Sequence, residues 1–253
     1  MKNGDRINSE EFLNERDKLF ENHANPALAY VRIEDHKESG YQCIGIPLTT
    51  LRKVYRPMLK HFQAMSEEQQ WFAYEQMFKR GYEEDFVLAI ACMKTKIKSM
   101  SSNERIRLMN SASHLNAWSN VDDYCLSLSQ PLFLLHKEEV THRLREWNQS
   151  SEIWLQRCSL VPLSRKVAFS GEHFPLIREL CERLKFSEKD LIRKAIGWVL
   201  KDSLNGDYQS TFPYLKKIRG EGASGLISSY AMRNLKPDDK EVIKTLGKSI
   251  QSR

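Results

Sequence analysis

Trp118 and Asp122 open and close the run Trp118-Ser119-Asn120-Val121-Asp122. On a helix, residues four apart lie one above the other on the same face. This spacing sets a large electron-rich ring beside a carboxylate. A ring face attracts cations, and a carboxylate stabilises developing positive charge. The pair suits a reaction whose substrate or transition state is cationic. The alternative reading is a core tryptophan and a surface acid, and the pair alone does not choose between them. Two later segments bear on the choice: Trp154-Leu155-Gln156-Arg157 and Lys194-Ala195-Ile196-Gly197-Trp198.

The elements that would position these residues read as helices. The chain has 253 residues, 41% hydrophobic and 28% charged, with 11 glycines and 8 prolines. That is enough apolar material for a core, and too few turn residues for a loop-rich β protein of this length. Capping boxes are read at Ser66-Glu67-Glu68-Gln69, at Ser101-Ser102-Asn103-Glu104 and at Ser187-Glu188-Lys189-Asp190. Ser151 precedes a helical run from Glu152 to Arg165. Gly81 and Gly206 read as helix stops, and Pro57 divides the Leu51 to Phe62 pattern. Apolar stripes fall at Trp71, Tyr74, Met77 and Phe78, at Phe86, Ala89, Ile90 and Met93, and at Leu191, Ala195, Trp198 and Val199. The sum is roughly a dozen helices of about ten to eighteen residues joined by short turns.

Trp118 to Trp154 is 36 residues and Trp154 to Trp198 is 44. These intervals bracket a two-helix repeat of the HEAT or armadillo class. The expected architecture is an all-α solenoid, a single domain over 1–253, with residues 1–8 as an unanchored tail. Equivalent places in successive repeats line one concave face. That is how Trp118, Asp122, Arg157 and Trp198 would come to one groove.

The net charge of +6 and pI of about 9.0 favour a polyanionic partner. The five cysteines, Cys43, Cys92, Cys125, Cys158 and Cys181, lack metal-ligand spacing and read as reduced, buried thiols of a cytosolic protein. The seven histidines form no constellation, so histidine-based chemistry is not expected. Phosphate-cradling glycine motifs are missing, so nucleotide hydrolysis and dinucleotide binding lack support. The longest apolar stretch, Val87 to Met93, is too short to span a bilayer. No metal and no cofactor are expected.

The runs W-S-N-V-D, E-I-W-L-Q-R and K-A-I-G-W-V-L-K resemble DNA alkylation repair enzymes of the AlkD type, the HEAT-like DNA glycosylases. The similarity runs from about Phe12 to the C-terminal helices and includes Gly45-Ile46. The resemblance implies a monomer that cups double-stranded DNA and excises cationic N3- or N7-alkylated purines without base flipping. It implies that Asp122 assists hydrolysis, that Trp118 and Trp198 bracket the nucleotide backbone, and that Arg157 holds phosphate. Where the family often has a polar residue after Gly-Ile, this chain has Pro47, which lacks a side-chain donor.

The chemistry of the residues agrees with that implication. A cationic purine leaves as a neutral base, so no strong general acid is needed. A single carboxylate near the anomeric carbon suffices. Lys194, Arg165 and Lys166 are further candidate phosphate contacts, a solvated basic face being the other reading. Two other functions stay open: a non-catalytic HEAT-repeat protein that binds branched or bent DNA, and a protein-binding helical scaffold.

Overall fold

The structure is a computed structural model that describes residues 8–37 and 40–251. The expected tail over 1–8 lies outside them, apart from Asn8, whose side chain caps the helix Ser9–Glu21. Among the described residues there are seventeen α-helices and no strand, only an isolated bridge between Gln42 and Tyr82. The all-α expectation is met.

The chain forms two compact units, 1–128 and 129–253. In the first, the helix Glu67–Arg80 packs on its successor Glu83–Lys94. Ser66 starts the former with a capping box, and Gly81 ends it in the left-handed region at φ +75°. The stripe of Trp71, Tyr74, Met77 and Phe78 is buried, as is that of Phe86, Ala89, Ile90 and Met93. Phe78 joins the two helices through ring contacts with Tyr74 at 4.5 Å and Phe86 at 5.0 Å. Tyr55 separates the helices Leu48–Val54 and Arg56–Ala64, with Pro57 in the first turn of the second.

In the second unit the 17-residue helix Asp190–Gly206 is the centre of packing. It touches Ile153–Leu160, Lys166–Phe169, Tyr208–Gly220 and Gly225–Ala231. Its buried stripe is Ile192, Ala195, Ile196 and Val199; Leu191 and Trp198 are only half-buried at its margin.

Three expectations need correction. Many helices are shorter than ten residues. The helical run expected over Glu152 to Arg165 ends at Leu160 and continues as a 3-10 turn, Val161–Leu163, because Pro162 has no N–H to give to the ladder. The box expected at Ser187 is not made; its hydroxyl accepts from Lys189 N–H in a turn, and the helix begins at Asp190.

Candidate functional site

The first unit carries the Trp118–Asp122 motif on a short helix, Trp118–Tyr124, followed by a π-helical turn, Cys125–Ser129. Within the motif, Asn120 is structural. Its carboxamide oxygen accepts from Ala117 N–H at 3.2 Å, and its nitrogen donates to Asn116 Oδ1 at 2.8 Å. Val121 and Tyr124 face the core. Trp118 is 42% exposed and Asp122 half-buried. Helical periodicity therefore keeps ring and carboxylate on one face, as their spacing requires.

The next acid, Asp123, is engaged elsewhere. It accepts from Ser127 Oγ at 2.9 Å and lines a 250 Å³ cleft with Arg52, Tyr55 and Lys94. Burial raises its carboxyl above the usual range, against the pull of Ser127 and the cations Lys94 and Arg52.

Trp118 does not stand alone. The His36 imidazole lies parallel to it, centroids 5.2 Å apart and planes within 9°. Tyr41 stacks on the other face of His36 at 3.9 Å and 5°. His36 Nε2 is 3.1 Å from Ser119 Oγ, and Ser119 Oγ is 3.0 Å from Glu83 Oε2. Burial pushes the Glu83 carboxyl up to about 7, with the Ser119 hydroxyl opposing. His36 comes to the motif from 82 positions away, a distance no local pattern reports.

The Gly45-Ile46 segment belongs to the same unit. Glu84 is fully buried, and its carboxylate accepts the backbone N–H groups of Ile44, Gly45 and Ile46 at 2.8, 2.9 and 3.0 Å. Gly45 sits at φ +86°, where a Cβ would fall 2.1 Å from the Asn25 carbonyl, so only glycine fits. Pro47 is the N-cap of Leu48–Val54 and offers no side-chain bond there.

The second unit carries the remaining candidates. Arg165 has φ +50° and ψ −119°, a backbone state disfavoured for a side-chain-bearing residue. Its N–H donates to the buried Asp202 at 2.9 Å, and Lys201 Nζ lies 3.1 Å from the other Asp202 oxygen. The anchored backbone carries the Arg165 guanidinium over the Trp198 ring, 5.5 Å from its centroid. Gly197 explains why Trp198 follows a glycine. A Cβ there would meet Tyr230 Cβ at 2.5 Å and the Ile227 carbonyl at 2.8 Å, so its absence lets the helix Gly225–Ala231 pack close.

Arg157 is 5% exposed and donates to the Leu191 carbonyl at 2.7 Å, tying its helix to Asp190–Gly206. Its neighbours Trp154 and Leu155 are half-buried. Lys194 is half-buried, and Lys166 is exposed beside Arg165. The second unit therefore brings Arg165 to Trp198 and holds Arg157 against the same long helix.

The chain matches the protein family described as DNA alkylation repair enzyme over residues 17–235. It belongs to the DNA alkylation repair enzyme family. Among solved structures, it is similar to a predicted DNA alkylation repair enzyme from Enterococcus faecalis, with a TM-score of 0.74 and 18% identity, covering 85% of this chain and 98% of that one. At that identity the likeness is one of fold. A search of curated proteins found no match. Alkylation repair makes DNA the partner of this family. Among the described residues, no helix is long and apolar enough to cross a membrane, and no group of three histidine, cysteine or acidic side chains could hold a metal ion.

Within the family setting, the residues missing from the sequence reading are His36, Tyr41, Glu83 and Ser119. Ser119 lies inside the motif. The other three are far from it in sequence: His36 and Glu83 come from the helices Pro26–His36 and Glu83–Lys94, and Tyr41 from the segment after the first of these.

Proposed function

We propose that this DNA alkylation repair protein is a DNA glycosylase that hydrolyses the N-glycosidic bond of cationic N3- or N7-alkylated purines in double-stranded DNA, without flipping the base. The observation that carries the reading is the exposed Trp118 ring, backed by His36 and Tyr41, one helical turn from Asp122. The family match supports the same direction.

In the reaction, the bond between the sugar C1′ and the purine nitrogen breaks. Its electron pair goes to the purine, which leaves neutral. Positive charge passes to the sugar as an oxocarbenium ion. Asp122 stabilises that charge and orients a water whose oxygen bonds to C1′; the water's proton passes to the carboxylate and then to solvent. Trp118 faces the growing cation with its ring. Trp198 packs along the nucleotide backbone. Arg165, Lys166 and Lys194 bind phosphates through charge. Arg157 contributes a phosphate contact and also holds its own helix in place. The protein acts as a monomer in the cytoplasm, on nucleoid DNA, and needs no cofactor.

The test is release of N7-methylguanine from methylated duplex by wild type and Asp122→Asn under single-turnover conditions. Release by wild type and its loss in Asp122→Asn is the expected result. DNA binding by wild type with no release would favour the alternative, a non-catalytic protein for bent or branched DNA. Equal release by both would overturn the role of Asp122.

A further inference from the structure

His36, Ser119 and Glu83 form a chain of polar atoms that ends behind the Trp118 ring. His36 Nδ1 lies 3.0 Å from the Arg32 carbonyl. A carbonyl only accepts, so Nδ1 carries a hydrogen. Nε2 faces the Ser119 hydroxyl, and that hydroxyl faces the Glu83 carboxyl. A hydroxyl has one hydrogen to donate. Two complete arrangements therefore exist. In one, Nε2–H donates to Ser119 Oγ and Ser119 O–H donates to the Glu83 carboxylate; His36 is a cation and Glu83 an anion. In the other, protonated Glu83 donates to Ser119 Oγ and Ser119 O–H donates to bare Nε2; both groups are neutral. The two hold the same number of protons. They interconvert when the Nε2–H proton passes to Ser119 Oγ as the serine's own proton passes to Glu83 Oε2.

Resting on the excision reading, we infer that His36, Ser119 and Glu83 are a proton relay that sets the charge behind the Trp118 ring as positive charge develops in front of it. A cationic imidazole stacked on one face of an indole repels a second cation approaching the other face. Passing the proton to Glu83 removes that repulsion. His36 is thus a positioning and charge-setting residue for Trp118.

The surroundings suit a mobile proton. Glu83 faces the like charges of Glu84 and Asp123, with Arg32 as the opposing cation and burial as the largest influence. Together these bring its carboxyl to about 7, close to the ordinary range of histidine. His36 faces the Tyr41 and Trp118 rings, the Ser119 hydroxyl and the Arg32 carbonyl. The Ser119 hydroxyl joins the two groups directly, within hydrogen-bond reach of each.

The experiment follows the His36 ring nitrogens by NMR in isotopically labelled full-length protein, without DNA, from about pH 5 to about pH 9, a window that spans the ordinary histidine range. His36→Gln assigns the signals. The relay predicts that Glu83→Gln and Ser119→Ala each lower the His36 midpoint by about one pH unit or more, and that Ser119→Thr, which keeps the hydroxyl, retains the wild-type midpoint. A midpoint unmoved by Glu83→Gln and by Ser119→Ala would overturn the relay. In an active protein, excision rises with pH through the wild-type midpoint, and Ser119→Ala moves that inflection. Coupled titration in a protein that releases no base would sink the excision reading and leave the relay standing.

Discussion

The His36 imidazole and the Trp118 indole lie within 9° of parallel at 5.2 Å. The stack fixes the ring from behind and leaves the residue 42% exposed. The exposed ring stands at the first position of a seven-residue helix, Trp118–Tyr124. In the proposed reaction its use is attraction of positive charge.

Trp118→Ala therefore slows excision by about 2- to 30-fold, the range set by cation–π energies of about 0.5–2 kcal/mol. Single-turnover rates on methylated duplex check this. An unchanged rate in a folded variant would remove Trp118 from the chemistry.

Arg165 is held at φ +50° by the bond of its N–H to Asp202. A strained arginine kept in place over Trp198 is best explained by a contact its side chain makes. Arg165→Gly should leave Tm unchanged or raise it, since glycine relaxes a strain of about 1–3 kcal/mol. The same variant should bind DNA more weakly, with the log–log salt slope reduced by about 0.9. Binding titrations at several salt concentrations, beside thermal melts, read both effects.

Gly197 touches the backbone and side chains of Gly225–Ala231 too closely to admit a methyl group. Gly197→Ala should cost about 1–3 kcal/mol of stability through overpacking. It should also shift Trp198, so DNA affinity falls with it. A melt showing no loss of Tm would contradict the packing argument.

The fold was readable in the sequence where local signals and burial agree. Ser66, Ser101 and Gly81 punctuate helices as their types require, and the stripes around Trp71 and Phe86 are buried. Reading failed where local chemistry competes. Ser187 makes a turn in place of a cap, and Pro162 ends a pattern that apolar periodicity alone would extend. At the site, Trp118 and Asp122 were legible because a helix keeps residues four apart on one face. His36 and Glu83 were not, because their approach to Ser119 depends on packing between helices. Arg165 was legible as a candidate phosphate contact, but its unusual backbone and its place over Trp198 were not.

Glu83 also predicts a pH effect on stability. Its folded-state pKa of about 7 lies above the ordinary glutamate value, mainly through burial. Between the two values the folded state holds a proton that the unfolded state has released. Stability therefore falls as pH rises from the ordinary carboxylate range to about 7, and that dependence ends above it. Melts of wild type and Glu83→Gln over this range should show a shallower fall in the variant. Parallel curves would mean that Glu83 titrates normally.

The claim at the centre of the account is that positive charge on the substrate does the work that a general acid does elsewhere. It is tested most directly by comparing release of cationic N7-methylguanine and of neutral uracil from otherwise identical duplexes by the wild-type protein. The account predicts release of N7-methylguanine and none of uracil. Release of both bases at similar rates, or of neither, would contradict it.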